Sequence, residues 1–378
     1  MRARGRSPAL EHTGIAAADG MGERCAERAA HVGVARVRGP YNRAPLPSTP
    51  GSLMMHTLKP AGALAVLLSC SILALLLAVS IGSVSLPLAS VIGAVFHSDG
   101  DTASRIVTEL RLPRALAAFG TGGSLALAGG LLQVLLRNPL ADPYVLGVSG
   151  GAAVAALGAM LLGIASPWLP VSALGGALVS TALVFVLARG DGAWSPTRLL
   201  LTGVVLASGW GAVIALLLSV APEAQLRGML FWLIGDLSSA PVPWLPLVTL
   251  AAASLVVAAF ARDLNALARG ELSAAALGVS VRNVGWTMLA VAAVLTAVAV
   301  TTAGAIGFIG LIVPHLVRML AGNDQRVLLP ASALGGGVLL LLSDTAARQV
   351  IAPAQLPVGV VTALIGVPVF LYLLAKGR

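Results

Sequence analysis

One pair of residues has the types that nucleophilic catalysis requires. Residues 147–150 read GVSG, which fits the G-x-S-G pattern around the nucleophile of an intramembrane serine protease, and His315 is a candidate general base for Ser149. However, a four-residue match of this composition recurs by chance in glycine-rich spans. His315 also follows Pro314 near the middle of a predicted helix, where it can simply bond a neighbouring helix. Proteolysis by Ser149 and His315 is therefore an alternative hypothesis that the pattern barely supports.

Acidic residues near apolar segments are candidates for ion coupling. An ion-coupled secondary transporter needs a membrane-embedded carboxylate or a similar ion site. Asp142, Asp236 and Asp344 are the acids closest to mid-chain apolar segments, and all three map to segment ends. Secondary transport is therefore a second alternative that these positions do not favour.

Lysine is almost absent, which bears on ATP chemistry. Only Lys59 and Lys376 occur, and neither ends a G-x-x-x-x-G-K-[ST] loop, so the chain cannot cradle nucleotide phosphates in the Walker manner. The two cysteines, Cys25 and Cys70, lie in a polar tail and an apolar segment and indicate neither a disulfide nor a metal site. We expect no catalytic residue, no cofactor and no metal site, and any ATP-driven step would need another subunit.

Two arginines stand at the start of one apolar segment. Arg111 and Arg114 flank Pro113, a favourable first residue of a helix. The helix dipole disfavours a cation at that end by roughly 0.3 to 1 kcal/mol at an exposed site, so another interaction should offset this cost. Snorkelling to the membrane interface is one alternative explanation. Arg348 follows Asp344 by four residues, a spacing that an ordinary helical ion pair explains.

Composition indicates the elements that position these residues. Apolar residues make up 57% of the chain, charged residues 10%, and runs of about 20 residues lack charges, which is typical of a polytopic membrane protein. The runs lack the alternation of barrel strands, so the expected fold is all-α. We predict ten transmembrane helices at about 61–81, 113–136, 144–164, 170–188, 198–219, 243–261, 284–303, 306–321, 327–347 and 357–375.

Positive charge predicts the orientation of these spans. An even number of spans puts both termini on one side, and eleven lysines and arginines fall on the terminal side against five on the other. The positive-inside rule therefore places both termini in the cytoplasm. The five on the outer side are Arg105, Arg111, Arg114, Arg227 and Arg348.

Residues 262–282, here called the knob, form the longest polar break among the apolar segments. The pattern predicts one short helix over residues 263–268, a break at Gly270, and a second helix over Glu271–Leu277 that stops at Gly278. An amphipathic helix resting on lipid is the alternative, but such helices usually carry Trp or Phe opposite Lys or Arg, and this one has Ala and Leu. The pattern therefore favours docking into a groove of a cytoplasmic protein.

The N-terminal residues differ in composition from the rest. Residues 1–58 contain eight arginines against four acids, many Gly and Pro, and no long apolar run, which predicts a disordered basic tail. Translation starting near Met54 or Met55 is the alternative. Residues 59–378 form the predicted ten-helix transmembrane domain, with a net charge of +5.

Several long motifs occur in one order: RLPR at 111–114, LLRNPLADPYVLGVSGGA at 135–152, ALARGELSAAALGV at 266–279, GAIGFIGLIVPHLVR at 304–318, then NDQRVLLP and LPVGVVTALIGVPVF. They resemble the FecCD-type permeases of ABC importers for iron-siderophores, haem and cobalamin. The resemblance runs from about Leu64 to the C-terminus and implies a type II ABC importer permease fold in the bacterial inner membrane.

The resemblance also implies partners and site residues. The partners are a second permease subunit, a cytoplasmic ATPase dimer and a periplasmic binding protein, within a membrane lipid environment and without nucleic acid. Coupling to the ATPase falls on Glu271, Leu272, Ser273, Ala274, Ala275, Leu277 and Gly278. Docking of the binding protein falls on Arg111, Arg114 and Arg348, and an inner gate on Ser195, Pro196 and Thr197. The motifs do not separate one chelate from another, nor a homodimer from a heterodimer.

Overall fold

The computed structural model describes residues 60–82, 87, 93–94, 102–164, 168–189, 195–238, 242–352 and 354–376. The tail predicted for residues 1–58 lies outside these residues. All described elements are helical, so the predicted all-α fold class is confirmed. The labelled helices are α1 Pro60–Ser80, α2 Leu112–Leu135, α3 Val148–Leu161, α4 Trp168–Arg189, α5 Pro196–Val220, α6 Glu223–Ile234, α7 Leu245–Ala259, α8 Ala261–Ala268, α9 Glu271–Ala276, α10 Val281–Ala303, α11 Ile309–Ala321, α12 Gln325–Gln349 and α13 Val358–Lys376.

Helix α2 is the buried centre of the bundle. A single turn of π-helix, Ile106–Arg111, leads into it, and it packs against α7, α10, α11 and α12. Glycines allow the closest of these approaches: a Cβ atom on Gly129 would collide with the carbonyl group of Gly310 on α11. Small residues at helix contacts are typical of membrane bundles, because they let backbones come together where no hydrophobic effect drives association.

Each of the ten predicted spans overlaps one described helix. Within the described residues six helices are long and apolar enough to cross a membrane, and the bent pair α7 and α8 can count as a seventh. The helices α3, α11 and α13 are apolar but shorter. The number of crossings therefore stays a prediction. Helix α6 was not predicted, because its 12 residues mix Glu, Gln and Arg with apolar residues.

Helix α5 is the most outward-facing of the long helices. Only 6% of its most apolar 18-residue stretch is buried, against 67% for the corresponding stretch of α10. A helix that is apolar all round and barely covered by its own chain needs lipid or another protein along its length.

Candidate functional site

The knob has the two-helix form that its sequence predicted. Helix α7 ends at Ala259, and α8 leaves it at an angle of 67°. Gly270 then adopts φ 123° and Gly278 adopts φ 81°, conformations that residues with a side chain rarely take. These two glycines delimit α9, so the predicted break and stop are both confirmed.

Helix α9 and the residue that follows it expose apolar side chains on the protein surface. Leu272 is 89% exposed and Leu277 is 69% exposed, whereas Ala274 is fully buried against the bundle. The neighbouring Ser273 and Ala275 are exposed as well. Leu272 on this six-residue helix and Leu277 directly after it form a small apolar contact surface, a feature that marks interaction sites when it is rimmed by polar residues.

Two polar contacts hold the knob on the bundle. Glu271, the first residue of α9, accepts a hydrogen bond at 2.8 Å from Nη2 of Arg137, which follows the end of α2. On α8, the Asn265 amide donates to Oδ1 of Asp324 at 2.8 Å and accepts from the backbone N–H of Gln325 at 2.9 Å. The knob is therefore attached to both α2 and the start of α12.

Asp324 is also the N-cap of α12. Its Oδ1 accepts from the backbone N–H of Arg326 at 3.0 Å. The pKa of the Asp324 carboxyl lies below its ordinary value. The largest cause is the hydrogen bond from the Asn265 amide, and the backbone N–H and the charge of Arg326 act in the same direction, because all of them favour the charged form.

The turn between α2 and α3 is fixed by its own side chains. The Asp142 carboxylate accepts from the backbone N–H of Tyr144 at 2.9 Å, and the Asn138 side chain accepts from the N–H of Leu140. Burial raises the pKa of Asp142 to about 6 despite the hydrogen bond from Tyr144. The Tyr144 hydroxyl donates to the carbonyl of Ile306 and accepts from its N–H, at 3.0 and 2.8 Å. This turn is therefore joined to the break between α10 and α11.

A polar cavity of about 660 Å³ lies beside the knob, where the ends of α2, α8 and α11 meet the turn before α12. Arg318, in the last turn of α11, contributes a guanidinium group that donates to the Gln133 side chain at 3.0 Å. The lining residues are Gln133, Val134, Arg137, Pro139, Asn265, Ala268, Arg269, Arg318, Asn323, Asp324 and Gln325.

The three arginines predicted to dock a binding protein lie at the end of the bundle opposite the knob. The 24-residue helix α2, which separates the two ends, is roughly 36 Å long. Arg111 is 7% exposed as a residue, and its guanidinium donates to the carbonyls of Val79 and Ser80 at the end of α1. Arg114 forms an ion pair of 2.8 Å with Asp344. The chain itself therefore supplies interactions that offset the unfavourable dipole at the start of α2.

Asp344 is shared by two arginines. It is fully buried on α12, and Arg348, one turn later, approaches its Oδ2 at 3.2 Å. The predicted i,i+4 pair of Arg348 is thus present. Arg114 also donates through Nη1 to Oε1 of the exposed Gln355 at 3.0 Å. The pairing of Arg114 with Asp344 was not predicted, because the two residues are 230 positions apart.

Ser195, Pro196 and Thr197 form the start of α5. The Ser195 hydroxyl accepts from the backbone N–H of Arg198 at 3.3 Å, and Pro196 is the first helical residue. This is the ordinary helix-start arrangement, and the structure adds nothing that singles these residues out as a gate.

The residues considered for other chemistry are not arranged for it. Nδ1 of His315 is buried and has no hydrogen-bond partner among the described residues, so nothing orients the ring as a general base for Ser149. Of the acids, Asp344 is neutralised by arginines, and Asp236 bonds to Ser238 in an outer turn. Neither alternative hypothesis gains support.

Comparisons with known proteins agree on one family. The model of the FecCD transport family matches residues 70–376. The cobalamin import system permease protein BtuC of Halobacterium salinarum is 44% identical over 281 residues, which cover 72% of this chain and 74% of the relative. The hemin transport system permease protein HmuU of Yersinia pestis is 41% identical over 294 residues, covering 74% and 86%.

A solved structure shows the same fold. It is an inward-facing conformation of a metal-chelate-type ABC transporter, with a TM-score of 0.72 and 32% sequence identity. The match covers 84% of this chain and 100% of the solved chain.

Proposed function

This chain belongs to the FecCD transport family, and on that premise we propose that it is the membrane-spanning permease subunit of an ATP-binding-cassette importer. Its cargo is an iron-siderophore or a related metal chelate such as haem or cobalamin, and separate ATPase subunits drive the transport. Relatives named for cobalamin and for hemin import match at similar identity, which supports the class of cargo and leaves its members open.

The exposed surface of α9 carries this proposal. Leu272 and Leu277 are large apolar side chains with little contact to their own chain, on a helix held in place by Glu271 and the buried Ala274. Burying such an apolar surface in a groove of another protein is more favourable than leaving it exposed to water. In the proposed complex, closure of two ATPase subunits pushes on the knob, and the permease alternates its access between the two sides of the membrane.

The remaining partners follow the same scheme. The barely covered α5 faces a second permease subunit, and the turn at Ser195, Pro196 and Thr197 narrows the inner end of the path between the two. The importer lies in the bacterial inner membrane. Both termini of the permease lie on the cytoplasmic side, in accordance with the distribution of positive charge among the loops.

The end of the bundle with Arg111, Arg114 and Arg348 receives the binding protein. Arg geometry suits carboxylates on the lobes of such a partner. Because Asp344 already holds Arg114, a partner carboxylate has to compete for the outer face of that guanidinium, where the exposed Gln355 is bonded. Docking there exchanges a neutral amide for a charged acceptor.

The contact of α9 with the ATPase has a direct test. We expect Leu272→Ser together with Leu277→Ser to weaken binding of the ATPase subunit by roughly tenfold or more, because burial of each leucine contributes about 1.5 to 3 kcal/mol. The measurement is the Kd between the purified permease dimer and the ATPase. Leu110→Ser, which removes an exposed leucine at the end of the bundle opposite the knob, is the matched control and should bind as wild type does. Equal affinity of the double variant and the control would contradict the proposed contact.

The cargo is identified by growth and uptake. A deletion strain that fails to grow when growth depends on imported cobalamin, but grows normally under iron limitation, would assign cobalamin as the cargo. The reverse result would assign an iron chelate. Normal growth and uptake of all three cargo classes in that strain would contradict the proposed cargo.

A further inference from the structure

The cavity beside the knob contains the cation of Arg318, whose charge is not balanced by a carboxylate among the described residues. Nη2 of Arg318 donates to Gln133 Oε1, and the Gln133 amide is itself held by the carbonyl of Leu311 at 3.2 Å. Gln133 is neutral. Among the described residues, no carboxylate lies within ion-pair distance of Arg318. A half-buried guanidinium that faces a polar cavity without a counter-ion gains from the arrival of an anion.

The other charged residues of the cavity do not supply that anion. Arg137 is engaged by Glu271, which does not itself line the cavity, and the Asp324 carboxylate accepts from Asn265 and from the start of α12. Arg269 adds a further exposed cation to the rim. The cavity is therefore electropositive.

A second polar atom of the cavity also lacks a partner within the described part of the chain. Gln325 is 3% exposed, its Nε2 donates to the carbonyl of Asn323, and its Oε1 is buried without a hydrogen bond. Because that oxygen is buried, the group that the cavity offers to a partner is the guanidinium of Arg318, which takes an anion. An acidic side chain of a polypeptide and a phosphodiester lipid headgroup both supply an anion, and the position of the cavity beside α9 favours the polypeptide.

We propose that this cavity receives an acidic side chain of the ATPase subunit, whose carboxylate pairs with Arg318. The inference rests on the proposed function, since it assumes that the ATPase covers α9. The rim residues Ala268 and Arg269 lead directly into α9, so a partner seated on Leu272 and Leu277 also faces the cavity. The ion pair at Arg318 would then lie beside the apolar contact at Leu272 and Leu277. It would favour an ATPase with an acidic residue at that position over one without.

The test measures the Kd between the full permease dimer and the ATPase subunit encoded beside its gene. We expect Arg318→Gln to weaken binding by about tenfold at low salt, and Arg318→Glu to weaken it further, because a partly desolvated charge pair is lost. The difference should shrink but persist at high salt, since partly buried pairs are screened less than exposed ones. Arg227→Gln removes an exposed arginine of α6 that lies outside the knob and does not line the cavity, and should leave the Kd unchanged.

Charge exchange separates a lost contact from a damaged fold. An acidic residue on the ATPase surface, changed to Arg, should weaken binding to the wild-type permease and restore binding to Arg318→Glu. If wild type, Arg227→Gln and both Arg318 variants bind equally well, this inference fails while the proposed function stands. If the wild type binds no ATPase, the proposed function itself fails. If no ATPase variant restores Arg318→Glu, and Arg318→Gln instead loses binding to phosphatidylglycerol vesicles, the site belongs to a lipid and the inference is overturned.

Discussion

At the scale of single residues, charge is organised around one buried carboxylate. Asp344 is held by Arg114 and Arg348 at the end of the bundle opposite the knob, and Arg111 caps the carbonyls at the end of α1. The sequence shows the acids and arginines and the helical spacing of one pair. It does not show the contact between α2 and α12, which depends on how distant helices pack. The cost of cations at the start of α2 was predictable, but its compensation was not.

The Asp344→Asn variant should be severely destabilised. The change keeps the shape of the side chain but removes the counter-charge of two partly buried arginines, which typically costs roughly 3 to 5 kcal/mol. The matched control is Glu109→Gln, which breaks an exposed pair with Arg105 and should cost less than about 1 kcal/mol. Thermal unfolding in detergent measures both. Similar melting temperatures for the two variants would contradict the structural role of Asp344.

Docking of the binding protein has a test that spares the Asp344 pair. Gln355→Glu places a carboxylate of the chain itself against Arg114, at an exposed position where folding is not at stake. We expect binding-protein affinity to fall by roughly tenfold at low salt, because the new carboxylate competes with and repels the partner's. Gln355→Ala removes only the neutral acceptor and serves as the control. Unchanged affinity of Gln355→Glu would contradict docking through Arg114.

At the scale of elements, glycine punctuation predicted the knob well. Gly270 and Gly278 break helices through their own backbone freedom, which is a local property, so α8 and α9 agree with their predicted limits. Contacts that hold the knob are not local. Arg137 with Glu271 and Asn265 with Asp324 join segments far apart in sequence, and no periodicity indicates them. Helix α6 was missed because its mixed composition resembles a loop.

The link between α8 and α12 should depend on pH through Asp324. The pKa of this carboxyl is lowered in the folded state, so its stabilising contribution is present above the ordinary carboxyl pKa of about 4 and is lost as pH falls through the folded value. Asp324→Ala should therefore cost about 1 kcal/mol at neutral pH, as expected for loss of an N-cap. Unfolding measured from pH 7 downward should show the wild type converging on the variant. A difference that stays constant down to pH 3 would contradict this role.

At the scale of the whole molecule, the described helices form a membrane bundle with two specialised ends and one barely covered side. The knob lies at one end of α2, the arginines at the other, and α5 faces outward. Hydropathy was sufficient to predict an all-α membrane protein, and the order of its motifs was sufficient to predict the FecCD family. The cavity beside the knob could not be predicted, because its walls come from four separate segments.

ATP-dependent uptake in proteoliposomes tests the central claim most directly. The vesicles contain the permease, its ATPase and its binding protein, and a permease whose residues 271–277 are replaced by a Gly-Ser linker is compared with the wild type. If α9 couples ATP hydrolysis to transport, the wild type accumulates the chelate only with ATP, and the linker variant does not accumulate it even though the ATPase still hydrolyses ATP. Uptake by the linker variant at the wild-type rate would contradict the account.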